Sequence, residues 1–188
     1  MLAKNLIKQN YRNQCISNLK SLPDSEKSLN SGIIFSKLQN FLSSFSGFWA
    51  AFQPLSTEPQ LEFKKISNIQ WCFPKMNGST LDFYSGVTEF KKSTFQVLEP
   101  VDGSAVGIQS LTGICVPALA FHTEGYRLGR GKGFYDQAFQ NFEGVKIGLG
   151  FDFCVSHAVP YESHDLKMNY IITNKLVHHL TDQFKQEN

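Results

Sequence analysis

Apolar positions in the first forty residues recur at helical spacing. Leu2, Leu6, Tyr11, Ile16, Leu19 and Leu22 fall at intervals compatible with one loosely amphipathic helix, whose other face presents Lys4, Lys8 and Arg12. The stretch SLPD at 21–24 then offers a cap, a proline near the first helical position and an acidic first turn. A second helix is therefore expected to run to about Leu42 and to end within residues 43–47. Beyond that point the period shortens. Apolar runs bounded by breakers at 48–52, 69–73, 114–117, 145–151 and 170–173 read as strands. Helical patterns fall between several of them, near 59–67 and 132–141, and a last helix is expected over about 174–186. This alternation predicts one α/β domain over residues 1–188, a mainly parallel sheet with helices on both faces in a Rossmann-like three-layer arrangement. Between 76 and 109 the pattern loosens, and 81–84 and 95–98 read as edge strands of a hairpin-like excursion.

Composition is consistent with that core. Apolar residues make up 41% of the 188 and aromatics 13%, seventeen of them Phe, which suffices to bury a sheet between helices. The formal charge of +2 comes from scattered Lys and Arg with no basic stripe, which argues against nucleic acid and suits a small polyanionic ligand. Four cysteines, Cys15, Cys72, Cys115 and Cys154, show neither a CxxC pair nor zinc spacing and read as reduced core residues. Residues 1–10 carry Lys4 and Lys8 among polar neighbours rather than a signal-peptide apolar run, and no apolar stretch approaches a membrane span. A cytoplasmic monomer with small-molecule partners is expected.

The chemistry concentrates in one segment. From a buried strand at 114–117 the chain passes to GYRLGRGKGFYD at 125–136, with alternating Gly129, Gly131 and Gly133 before a helical pattern. Glycines can take positive φ and let main-chain N–H groups converge on phosphate oxygens, and a helix start adds partial positive charge. Arg127, Arg130 and Lys132 add charge around the same place. The spacing GxGxG is not the GxGxxG of a dinucleotide site, and Phe134 stands where a Walker A loop needs Ser or Thr. A plain glycine-rich turn competes with the anion-site reading, and the density of Arg, Lys and Asp favours the latter.

The runs VPALAF at 116–121 and GYRLGRGKGFYD at 125–136 resemble the signature of the 5-formyltetrahydrofolate cyclo-ligase family, also called methenyltetrahydrofolate synthetases. Fainter resemblance extends to Lys4 and Lys8 on the first helix, GLGFD at 148–152 and VPYESHD at 159–165. The resemblance implies that the formyl oxygen of 5-formyltetrahydrofolate attacks the γ-phosphate of Mg-ATP, and that nitrogen 10 closes on the resulting iminium phosphate. Positioning and charge neutralisation are the main demands of such a phosphoryl transfer. By matching position, Lys4, Lys8, Arg127, Arg130, Lys132, Tyr135 and the main chain of Gly129, Gly131, Gly133 and Phe134 would hold ATP. Tyr135 would face the folate and, with Arg130 and Lys132, act in catalysis, while Asp136 would bind Mg2+. For each there is a plainer role: a solvated helix face for the two lysines, packing for Tyr135, and a helix-start carboxylate for Asp136.

Two stretches depart from the family pattern. The acidic positions before the family's Thr are Pro54 and Ser56 here, so folate contact is expected from Thr57 and Glu58. A second metal carboxylate is replaced by Asn169, which keeps an oxygen ligand but removes a charge. Among five histidines none has a partner at metal spacing, and His178 and His179 are expected on the last helix. Two other readings compete with the cyclo-ligase. One is an ATP-binding relative with a lost or altered folate substrate; the other is a sugar-phosphate isomerase or CoA-transferase-like protein that shares only the architecture.

Overall fold

Two antiparallel-capable helices open the chain because a proline separates them. The computed structural model describes residues 2–94 and 96–180. Its first helix, α1 (Leu2–Ser21), stops just before Pro23, whose ring disfavours a helical Leu22 and which lacks an N–H. Pro23 (φ −57°, ψ 142°) precedes α2 (Asp24–Leu42), and Asp24 and Glu26 in its first turn complement the helix dipole. Ile34, Leu38 and Leu42, spaced by four, are fully buried and form the stripe that faces the sheet. In α1, among the side chains described, Leu19 and Lys8 are buried, and Tyr11, Cys15 and Ile16 pack at the core margin. Leu6 remains exposed, so the apolar stripe expected from the first turn begins at Tyr11 instead.

The strands are β1 (Phe48–Ala50), β2 (Gln70–Asn77), β3 (Thr80–Ser85), β4 (Phe90–Lys92), β5 (Leu98–Pro100) and β6 (Ser104–Val106). They continue with β7 (Leu111–Pro117), β8 (Ala120–Phe121), β9 (Arg127–Leu128), β10 (Val145–Leu149), β11 (Tyr170–Ile172) and β12 (Val177–His179), with α3 (Phe134–Ala138) after β9. Eight of them form one sheet in the order β12-β11-β10-β7-β1-β2-β3-β6. The central five, from β11 to β2, run parallel, and β12, β3 and β6 add antiparallel edges. The sheet is thus mixed, parallel where the alternation of elements predicts it. Small ladders β4–β5 and β8–β9 stand apart from it.

Both faces of the centre are covered, as parallel strands require. Along β7, Ile114 and Val116 belong to one buried cluster and Cys115 to the other, following the two-residue period of a strand. The cluster of Cys115, the first, receives α1 and α2; that of Ile114 and Val116, the second, receives α3 through Ala138 and, just beyond it, Phe139 and Phe142.

Several expected helices are shorter or absent. Residues 59–67 form only a 3-10 turn at Phe63–Lys65, because Leu61, Phe63, Ile66 and Ile69 all bury into one core over too short a span for a regular helix. The pattern at 132–141 yields the five-residue α3, closed by a turn in which the Phe142 N–H bonds the Phe139 carbonyl. The last helix is replaced, within the described residues, by β12. Thr173 turns the chain, its hydroxyl accepting the Leu176 N–H at 2.9 Å, and Ile171 then pairs His178. His178 and His179 therefore lie on a strand, and residues 181–186 of that expected helix lie outside the described residues. The expected strand at 81–84 is β3; of that at 95–98, Phe95 lies outside the described residues and Leu98 opens β5.

One close approach at the sheet centre is testable. Gly113 pairs Trp49 across β1 and β7, and a Cβ on it would lie 2.5 Å from the fully buried indole. Gly113→Ala should cost about 1–3 kcal/mol by overpacking. The check is a lower urea midpoint with an unchanged slope; an unchanged midpoint would show that the indole moves freely.

Candidate active site

Parallel strands leave a crevice beyond their carboxyl ends, and three loops meet there. One follows β1 and carries Thr57 and Glu58; one follows β7 as the β8–β9 hairpin and the glycine segment; one follows β10 and carries Glu162 and Asp165. The amino-terminal half of α1 lies across them, bringing Lys8 and Arg12 to the same place.

Together they enclose a cleft of about 450 Å³ lined by Lys8, Arg12, Gly129, Gly131, Lys132, Gly133, Asp136, Glu162, His164 and Asp165, among others. Lys8 is 5% exposed. Its ammonium donates to Asp165 Oδ2 at 2.6 Å and lies 2.8 Å from Glu162 Oε2. Asp165 Oδ2 also accepts the Glu162 N–H at 2.7 Å, which shapes the acidic turn. Lys8 holds the Glu162 carboxyl below the ordinary carboxylate range, and Lys4, exposed one turn earlier, adds a smaller effect in the same direction.

The glycine segment is shaped by different constraints at each glycine. Gly131 and Gly133 have φ of +92° and +72°, which glycine adopts without strain. Gly129 does not; a Cβ there would lie 2.7 Å from Arg127 Nη1. Of the three, Gly131 and Gly133 thus use the conformational freedom of glycine and Gly129 its lack of a side chain. Arg127 is buried, donating from Nη2 to Asp136 Oδ2 at 2.9 Å and from Nη1 to the Pro117 carbonyl at 3.4 Å, with its guanidinium 5.2 Å from the Tyr135 ring centroid. Asp136 Oδ1 accepts the Leu166 N–H at 3.0 Å.

Side chains of the segment point two ways. Lys132 lines the cleft, whereas Arg130 donates from Nη2 to Thr57 Oγ1 at 2.6 Å and to Glu58 Oε1 at 3.3 Å. Phe134 and Tyr135 pack against the second core cluster. Burial pushes the Tyr135 hydroxyl well above its ordinary range, and the negative charge of Glu58 adds to this.

Most of the expected residues therefore converge. Lys8, Lys132, Asp136 and the glycines share the cleft; Arg130, Thr57 and Glu58 join beside it. Asn169 sits elsewhere, at the start of the β10–β11 ladder, where its carboxamide oxygen accepts the Lys146 N–H at 2.8 Å. The chain from Leu166 onward has by then left the cleft to enter β11. Arg12 was not singled out as a ligand by sequence reasoning, yet its Nε donates to the Gly129 carbonyl at 3.0 Å. Its signal was present in the four-residue spacing of Lys4, Lys8 and Arg12.

The structure is that of an α/β protein with a glycine- and cation-lined cleft, and comparison with known proteins narrows this. The profile of the 5-formyltetrahydrofolate cyclo-ligase family matches residues 59–174, well over half of the chain. The Mus musculus protein named 5-formyltetrahydrofolate cyclo-ligase is 29% identical over 91 residues, 43% of this chain and 45% of that protein. The Mycolicibacterium smegmatis protein of the same name is 39% identical over 64 residues, 33% of each chain. The aligned stretches thus span less than half the length of these curated relatives. The NMR structure of Aquifex aeolicus 5,10-methenyltetrahydrofolate synthetase matches with a TM-score of 0.81 and 26% identity, covering 97% of both chains. The structure of 5,10-methenyltetrahydrofolate synthetase from Mycoplasma pneumoniae shares the fold, with a TM-score of 0.74 and 22% identity over 89% of this chain and 98% of that one. This chain belongs to the 5-formyltetrahydrofolate cyclo-ligase family.

The Lys8 pairs make the acid limb of stability testable. A carboxyl whose folded-state pKa is lowered contributes stability that is present above its unfolded value and lost as pH falls through the lowered one. Below the ordinary Glu value of 4.5, the chain should therefore lose stability more steeply than Lys8→Met, which lacks the ammonium that lowers Glu162. Chemical denaturation from pH 6 down to about 3 would read this. Superimposable acid limbs would contradict the pairing.

Proposed function

We propose that the chain catalyses the ATP- and magnesium-dependent cyclisation of 5-formyltetrahydrofolate to 5,10-methenyltetrahydrofolate, with release of ADP and phosphate. The observation that carries this reading is the glycine segment, whose main chain at 129–133 lines one cleft with Lys8, Arg12 and Lys132. Main-chain N–H groups beside positive-φ glycines and fixed cations together suit the oxygens of a polyphosphate. Arg130, reaching the loop of Thr57 and Glu58, stands between this cleft and the side assigned to the folate. Thr57, Glu58 and Tyr135 are the proposed folate-facing groups, and Arg130, Lys132 and Tyr135 the proposed catalytic ones.

In this reading the formyl oxygen forms its bond to the γ-phosphorus as the bond to ADP breaks. Nitrogen 10 then bonds the formyl carbon, loses its proton, and the oxygen departs with phosphate. The chain's part is alignment and neutralisation. Lys8 and Lys132 meet phosphate oxygens, Lys4 adds charge from one turn earlier on α1, and Arg130 offsets charge near the transferring group.

The donor set fits magnesium, which takes one or two carboxylates together with phosphate oxygens and water. Asp136, Glu162 and Asp165 line the cleft as hard oxygen donors, although no ready-made cluster of three metal-binding side chains is found among the described residues. Asp136 is the proposed first ligand; Asn169 would have to release the Lys146 N–H to join it. When bound, the ion would neutralise charge on the phosphate oxygens. No helix among the described residues is long and apolar enough to cross a membrane. A cytoplasmic monomer is proposed.

Incubating the protein with 5-formyltetrahydrofolate and following methenyl absorbance should give product only when ATP and a divalent metal are both present. Measurable ATP binding without product would favour the redirected relative, for which the sequence departures at Pro54, Ser56 and Asn169 speak. Product without ATP would overturn the proposal.

A further inference from the structure

Glu58 is a buried carboxylate with one partner that is able to leave. It is 5% exposed, and its Oε2 accepts the Leu55 N–H at 3.0 Å while Oε1 lies 3.3 Å from Arg130 Nη2. Burial pushes its carboxyl up from the ordinary range, and the Leu55 amide and the Arg130 guanidinium pull it back. The Leu55 amide belongs to the same loop and stays. Arg130, by contrast, keeps 37% of its side chain exposed and stands between Gly129 and Gly131, whose main chain lines the cleft. An anion on that main chain competes for the guanidinium. If Arg130 leaves, a buried anion keeps a single amide donor, and a carboxylate so placed becomes neutral rather than remain charged. Among the described residues the Tyr135 phenol also senses the Glu58 charge, and burial keeps that phenol neutral.

We infer that Glu58 is a positioning residue that holds Arg130 against the loop after β1 until an anion occupies the glycine segment, and that it takes a proton as Arg130 swings to that anion. The inference rests on the phosphate-binding reading above and deepens it by naming the group that regulates Arg130. The only bond made at Glu58 is O–H, the proton coming from solvent, so nucleotide binding should tighten as pH falls. An ordering follows as well. Nucleotide releases Thr57 and Glu58 from Arg130, and these then become available to the second substrate.

The test is calorimetric titration of the full chain with Mg-ATP, without folate, in two buffers of different ionisation enthalpy. The buffer dependence of the heat counts protons. The unmodified chain should take up more protons than Glu58→Gln, by an amount approaching about one per chain. Arg130→Ala, in which Glu58 has already lost the guanidinium, should show the same deficit, and it serves if Glu58→Gln fails to fold. Equal proton counts in the unmodified chain and the variants would overturn the exchange while leaving nucleotide binding intact. No binding heat at all would overturn the nucleotide reading, and the exchange with it.

Discussion

A guanidinium buried at Arg127 has to be paired, and the way it is paired fixes the geometry around it. Its partner Asp136 lies in the first turn of the short α3 and, with its other oxygen, takes the Leu166 N–H from the loop after β10. The Leu166 carbonyl in turn accepts the Arg127 N–H at 3.2 Å. The two ends of the glycine segment and a loop 30 residues beyond Asp136 are thereby locked around one ion pair, and the chain between its two members must arch past the guanidinium. Gly129 is the residue that permits this, since any Cβ would collide with Arg127. The glycines are thus not equivalent: one makes room for a side chain, and two take backbone conformations that other residues resist.

From that node the site divides. The main chain and Lys132 face the cleft under α1, while Arg130 faces the loop after β1. In the cleft Lys8 is already engaged by two carboxylates, Glu162 and Asp165. A polyphosphate arriving with a divalent cation would exchange partners with both sides at once, the anion taking Lys8 and the cation the carboxylates. Either alone would leave a charge uncompensated in a half-buried place, which gives a physical reason for the two to bind together.

The legible parts of the sequence were those governed by local rules. α1 and α2 follow from apolar spacing and Pro23, and the central parallel strands from apolar runs between breakers. Competing long-range packing decided the rest. Residues 174–180 have no helix stop of their own, and only the pairing of Ile171 with His178 reveals an edge strand. α3 is brief because Phe139 and Phe142 are drawn into the core on either side of a turn. In the site, the glycine segment was readable as a motif, whereas the departure of Asn169 toward Lys146 depends on where the chain turns into β11. Arg12 lay in plain helical register with Lys8, but nothing local marks the Gly129 carbonyl as its acceptor.

The central claim is that a polyphosphate sits between the main chain of 129–133 and Lys8. A crystal structure of the chain with magnesium and a non-hydrolysable ATP analogue tests it directly. The account predicts the phosphates against Gly131, Gly133 and Lys132, with the Lys8 ammonium moved from Glu162 and Asp165 to a phosphate oxygen. Phosphates bound elsewhere, or in the cleft with both Lys8 ion pairs intact, would contradict it.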